Sequence, residues 1–128
     1  MDKIILPDTN ILILGLQGTK PYAGFLRILI EEKRLALSVI CLAEFLSKAT
    51  DEEEKVVSAL FAAFPILNID LAVAQTAALY RKKYLQNNRN LKLPDCLIAA
   101  TAKVYRLTLA TMDKKDYPMA DIEVIDQF

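Results

Sequence analysis

Short runs of β-branched and apolar residues alternate with longer amphipathic stretches from one end of the chain to the other, and this alternation restricts the fold more than any other feature. Lys3–Pro7 reads as a buried strand, and Thr9–Leu16 as a short apolar helix stopped near Gly15 and Gly18. Thr19 is expected to cap a second helix, with Pro21 near its first turn and an apolar stripe at Phe25, Leu26, Leu29 and Ile30. Leu35–Val39 is a second strand and Ile40–Lys48 a helix. Thr50 and Glu53 have capping-box spacing for a helix reaching to near Phe64. Pro65–Ile69 is a third strand, Asp70 caps a long helix to near Gln86, and Asn87–Leu93 is a polar loop. Pro94 opens a helix through Tyr105, Leu107–Thr111 is a fourth strand, Asp113–Pro118 a turn and Ile122–Ile125 a last strand. Strands joined through helices make an α/β fold with a mostly parallel sheet and helices on both faces. No shift in composition divides the 128 residues, so a single domain, 1–128, is expected. Ligands of such sheets bind beyond the carboxyl ends of the strands.

Four acids stand alone in apolar surroundings. Asp8 is the only charged residue between Lys3 and Lys20, Glu44 between Arg34 and Lys48, and Asp95 between Lys92 and Lys103. Asp113 follows the uncharged run Leu107–Met112. A carboxylate in a segment that packs into a core costs several kcal/mol (~3 or more) unless it is paired, coordinated or protonated. No Lys or Arg in these segments is placed to pair with it locally. In a parallel sheet Asp8 and Asp113 share the edge where strands end. Asp95 reaches that edge from the first turn of its helix, and Glu44 is expected to point inward to join them. Singly, each has an ordinary explanation: Asp8 as a helix cap, Asp95 as a first-turn acid favoured by the helix dipole, Asp113 as a turn residue. Glu44 is harder to explain away, because its neighbours Cys41, Leu42, Ala43, Phe45 and Leu46 leave no evident solvated face.

The chain contains no histidine, which removes every Ser-His-Asp, Cys-His or histidine-pair mechanism from this chain alone. Four carboxylates gathered together cannot all remain ionised without cations. Hard oxygen donors suit Mg²⁺ or Mn²⁺, and with neither His nor a Cys motif zinc is disfavoured. Such a site suits phosphodiester hydrolysis. Cys41 and Cys96 read as buried small hydrophobes in a reducing compartment. No apolar run approaches the roughly 20 residues of a membrane helix, and the start of the chain shows no secretory pattern, so a cytoplasmic protein is expected. Lys plus Arg equals 16 and so does Asp plus Glu, which argues against a broadly basic nucleic-acid surface without excluding a nuclease.

Around the four acids the sequence resembles the PIN-domain nucleases, particularly the small VapC-like toxins of prokaryotic toxin–antitoxin pairs. Leu6–Ile13, carrying Asp8-Thr9-Asn10 after a strand, is similar to the first motif of that family. Ser38–Leu46 with Glu44, Leu93–Ala102 with Asp95, and Thr111–Tyr117 with its Thr-x-Asp-x-x-Asp-aromatic turn are similar to the second, third and fourth. The motifs occur in family order and span nearly the whole chain. The resemblance implies a PIN-like three-layer α/β/α sandwich and Mg²⁺- or Mn²⁺-dependent endoribonuclease activity leaving 5′-phosphate ends. It also implies a homodimer and inhibition by a VapB-like antitoxin. Carried over, Asp8, Glu44, Asp95 and Asp113 are the catalytic, metal-binding quartet, Asn10 and Thr111 orient it, and Asp116 supports it.

The basic candidates for RNA contact are Lys20, Arg27, Arg81, Lys82, Lys83, Arg89, Lys92, Lys114 and Lys115. Of these, Lys114 and Lys115 adjoin Asp113 and are the expected substrate contacts. Tyr80 and Tyr84 have helical spacing and read first as packing residues. An aspartyl-phosphate phosphatase would want a second Asp where Asn10 stands, which makes that reading poor. The main alternative is a catalytically silent PIN-like module that binds RNA or a protein without cutting.

Overall fold

The structure, a computed structural model, describes residues 2–128; Met1, the first residue of the expected domain, lies outside them. Five short parallel strands form its centre: β1 (Ile5–Pro7), β2 (Leu37–Ser38), β3 (Ile66–Leu67), β4 (Thr108–Ala110) and β5 (Glu123–Ile125). β1, β4 and β5 are hydrogen-bonded in that order, as are β2 and β3. An isolated parallel bridge between Ile5 and Leu35, with Ile5 N–H donating to Arg34 O at 2.7 Å and Ala36 N–H to Ile5 O at 3.0 Å, joins the two sets. The strands thus run in the order β3-β2-β1-β4-β5. Successive strands step outward from β1 to β3, then the chain returns to lay β4 on the free side of β1. The strand order reverses at the β1–β4 seam, and an open parallel sheet has its ligand crevice where the order reverses.

Six helices connect these strands: α1 (Thr9–Leu16), α2 (Tyr22–Glu31), α3 (Val39–Leu46), α4 (Asp51–Ala63), α5 (Leu71–Gln86) and α6 (Leu93–Tyr105). α1 packs on α2 and α3, and α5 along α6, completing the three-layer arrangement expected from the alternation of elements. Leu6, Leu12, Leu29, Leu37, Ile98 and Leu109 are fully buried between the layers. At roughly 1.5–3 kcal/mol for each large aliphatic side chain, their burial is the main source of stability.

Helix starts follow the local chemistry closely. Thr50 Oγ1 accepts from Glu53 N–H and Glu53 Oε1 from Thr50 N–H, a complete capping box. Asp70 Oδ1 accepts from Val73 N–H at 2.9 Å, as its position before the Ala-rich run predicts. Every strand is shorter than expected by one to three residues, α3 stops at Leu46 and not at Lys48, and the starts of α3 and α2 differ from expectation. Ser38 accepts from Ile40 N–H, so α3 begins at Val39 and cuts the second strand short. Thr19 is not the cap of α2: it leaves α1 after Gly18, whose φ of +84° turns the chain, and its carbonyl accepts from Ala23 N–H while the helix starts at Tyr22 with no side-chain cap.

Cys41 and Cys96 are free and buried, and Cys41 Sγ lies 3.6 Å from Pro7 O beneath the end of β1. Burial pushes the Cys41 thiol up to about 12, against the smaller opposing effect of hydrogen bonding to Thr9. Because the thiolate is the reactive form, neither cysteine should react with a thiol reagent at pH 8 in the native protein, and both should react in denaturant. Counting labelled thiols by mass spectrometry checks this; rapid native labelling of Cys41 would contradict its placement.

Candidate active site

Beyond the carboxyl ends of β1 and β4 lies a cleft of about 330 Å³ whose lining includes Asp8, Thr9, Asn10, Glu44, Lys48, Lys92, Asp95, Asp116 and Tyr117. A larger groove of about 520 Å³ at the other end of the strands holds Lys3, Lys103, Arg106, Asp121 and Glu123; both of its carboxylates are paired, in Lys3–Glu123 and Lys103–Asp121, and Arg106 is its remaining charge. The cleft differs in kind: among the described residues, none of its four carboxylates forms an ion pair.

Asp8 is fixed at both oxygens. It caps α1, with Oδ1 accepting from Ile11 N–H at 3.1 Å, and Oδ2 accepts from Thr111 Oγ1 at 2.6 Å. Its backbone N–H donates to Ala110 O at 2.8 Å, so the β1–β4 seam itself holds the residue in place. Asp8 is therefore both helix cap and cleft acid, and only 7 % of it is exposed. Burial raises its pKa; the Thr111 and Ile11 hydrogen bonds oppose the rise, and the charge of Asp116 adds to it.

Asp95, in the first turn of α6, is half-buried. Tyr117 O–H lies 3.4 Å from its Oδ1 and donates to it. Burial raises the Asp95 carboxyl first, then the charge of Asp116; the Tyr117 hydrogen bond and the nearby Lys92 charge lower it, and Asp8 raises it further. Burial, with the charges of Asp8 and Asp95, pushes the Tyr117 hydroxyl far up, so it remains a donor.

Glu44 joins these acids, but not from the interior. α3 buries Cys41, Leu42 and Phe45 and turns Ala43, Glu44, Ser47 and Lys48 outward. The expectation of an inward-facing Glu44 is corrected: the apolar helix has an exposed face because the cleft lies against it. Thr9 Oγ1 donates to Glu44 Oε1 at 2.6 Å and ties α3 to the start of α1.

Three other expectations also change. Asp113 stands beside the cleft and is not among its lining residues: its N–H donates to Thr111 Oγ1 at 3.2 Å, the hydroxyl that holds Asp8, and its Oδ1 accepts from Lys115 N–H at 3.0 Å, capping the short 3₁₀ turn Lys114–Asp116. That turn carries Asp116 round into the cleft instead. Asn10 lines the cleft, but among the described residues its side chain makes no hydrogen bond to an acid; the orienting hydroxyls are those of Thr9 and Thr111. Lys114 and Lys115 lie outside the cleft, on the exposed side of the same turn, where Lys115 O accepts from Arg89 Nη2. The cleft lysines are Lys92, one of the basic candidates, and Lys48, which the sequence reading missed; its position one turn after Glu44 was the available signal. Tyr80 and Tyr84 serve packing, donating to Asp121 Oδ1 and Pro118 O.

All of the cleft's potential metal donors are hard oxygens, which suits Mg²⁺ or Mn²⁺. Among the described residues no three carboxylates or thiols converge to enclose an ion. Mg²⁺ does not require such a cage, since it keeps several waters and is held through one or two carboxylates together with substrate phosphate. The donor set therefore fits such an ion, with Asp8, Glu44, Asp95 and Asp116 as the groups able to hold it.

Known proteins place these features in a family. The model of the PIN domain matches residues 5–122. Ribonuclease VapC10 of Mycobacterium tuberculosis is 32% identical over 116 residues, covering 91% of this chain and 87% of its own. A toxin–antitoxin complex from Klebsiella pneumoniae contains a chain 31% identical to this one, with a TM-score of 0.76 and coverage of 94% of this chain and 95% of its own. The DNA-bound VapBC of Salmonella typhimurium has a TM-score of 0.81 at 20% identity, covering 97% and 98%, a likeness of fold.

Proposed function

The chain belongs to the PIN-domain family, and from that footing we propose that it is a Mg²⁺- or Mn²⁺-dependent endoribonuclease, the toxin of a VapBC-type pair. The observation that carries the reading is the set of four carboxylates, Asp8, Glu44, Asp95 and Asp116, lining one cleft at the sheet's switch point with no cation paired to any of them among the described residues. The relative named as a ribonuclease and the neighbour solved as a toxin–antitoxin complex support it. A VapB-like antitoxin and a homodimer belong to the same proposal. A cytoplasmic setting is consistent with it, and no described helix is long and apolar enough to cross a membrane.

When bound, the ion supplies an activated water and offsets charge on the scissile phosphate and the leaving oxygen. The chain's own residues prepare the cleft. Thr111 and the Ile11 amide hold the two oxygens of Asp8, so that its remaining lone pairs are aimed by the sheet. Thr9 fixes one oxygen of Glu44, and Tyr117 steadies Asp95 from beneath. These contacts pre-organise the acids, so that little reorganisation is needed when an ion or substrate arrives. The upward shift at Asp8 and Asp95 comes first from burial and then from the charge of Asp116, and a bound cation would offset both.

The test is cleavage of a mixed single-stranded RNA pool by the purified protein with Mg²⁺, with Mn²⁺ and with EDTA, read beside a thermal melt. Cutting should require metal. Saturating Mn²⁺ should raise Tm by about 5 °C, because an ion that binds only the native state stabilises it. An unchanged Tm together with no cutting would favour the silent binding module.

A further inference from the structure

The two lysines of the cleft are not accounted for by the acids around them. Among the described residues, Lys48 and Lys92 are the only cationic side chains lining it, and both are exposed. Four carboxylates share the cleft with them, yet among the described residues neither ammonium lies within 4.0 Å of a carboxylate oxygen. If their task were to neutralise the acids, direct pairing would be the arrangement to expect. They also stand on different walls. Lys48 follows the end of α3, beyond Glu44, and Lys92 is the cap residue of α6, before Asp95. Lys92 is near enough for its charge to be felt at Asp95 and still makes no ion pair with it.

A polyanion entering this cleft meets four negative side chains on a protein with no net charge. Net charge supplies no overall attraction, and the cations nearest the acids are those that line the cleft itself. We propose that Lys48 and Lys92 are substrate-binding residues that hold the RNA phosphates on the two sides of the scissile one. This rests on the ribonuclease reading above and sharpens its substrate class. The preferred substrate is an internal phosphodiester of a single-stranded oligoribonucleotide with a further phosphate on each side, and a dinucleotide, which has no flanking phosphates, is a poor one. Lysine suits this task as a point charge on a flexible stem, binding backbone phosphate without reading base identity.

The experiment compares wild type with Lys48→Met, Lys92→Met and the double variant, with Lys55→Met on the exposed face of α4 as a control. Each variant is assayed for cleavage of a short single-stranded oligoribonucleotide and of a dinucleotide. Binding of the oligonucleotide is measured separately by fluorescence anisotropy across a salt series in EDTA, a readout independent of cleavage. Each cleft variant should raise KM for the oligonucleotide about three- to fivefold, with kcat within about twofold. Each should also lower the slope of log affinity against log salt by about 0.7, the value for one phosphate contact on a single strand. Lys→Arg at either position should restore the slope, and the Met variants should impair cleavage of the oligonucleotide more than that of the dinucleotide. Slopes and KM values equal to those of wild type and Lys55→Met would overturn the proposal while metal-dependent cutting kept the ribonuclease reading intact. Absence of cutting with both metals would count against that reading, and the anisotropy slopes would still decide the role of the lysines.

Discussion

Asp8→Asn should abolish RNA cleavage, by about a thousandfold or more, while leaving the fold as stable as before or slightly more so in the absence of metal. The two halves of this expectation have separate causes. Asparagine matches aspartate in volume and is as good a helix cap, so Ile11 N–H keeps its acceptor. The Thr111 hydroxyl can rotate to accept from the new amide rather than donate to a carboxylate. What disappears is a buried negative charge that burial and Asp116 both disfavour. The change therefore removes a cost to the metal-free fold and, under the proposed mechanism, a ligand for the cation. Cleavage assays beside circular-dichroism melts in EDTA separate these effects. Full activity in a folded variant would remove Asp8 from the site.

The second large effect distinguishes two acids three residues apart. Asp116→Asn should lower kcat/KM by about a hundredfold or more, since its charge faces Asp8 and Asp95 across the cleft. Asp113→Asn should change kcat/KM by less than about threefold, because asparagine can still accept from Lys115 N–H and preserve the turn. Kinetics of both variants with one RNA decide the matter. The reverse order of effects would return Asp113 to the quartet and mean that the turn rearranges when the enzyme binds its metal.

These two acids mark where reading the sequence stops. Periodicity located every strand and helix because burial imposes it, and Asp70, Thr50 and Glu53 announced their helix starts because capping is local chemistry. The presence of Asp8 and Asp95 in the site was legible for a related reason, since each sits at a strand end or first helical turn whose place in a parallel sheet is settled by topology. Asp113 and Asp116 flank the same pair of lysines, and which of them faces inward depends on the dihedral path of a 3₁₀ turn that composition does not encode. Asn10 and Thr9 are adjacent, and only the rotation of α1 selects the Thr9 hydroxyl to meet Glu44. The apolar makeup of α3 suggested burial on every side, whereas one face borders the cleft and carries Glu44, with Lys48 just beyond the helix end. In each case the missing information was the direction of a side chain relative to a distant element.

The hydrogen bond from Asp8 N–H to Ala110 O divides the cleft mechanically. Asp8 and Thr111 are built into the joint between β1 and β4, buried strands of the kind that open last. Glu44 and Asp116 ride on a two-turn helix and a single 3₁₀ turn, both solvent-facing at those residues, the kind of segment whose local opening is easiest. The cleft thus has one wall anchored in the sheet and another on short segments that face solvent, so local opening would release Glu44 and Asp116 before Asp8 and Thr111.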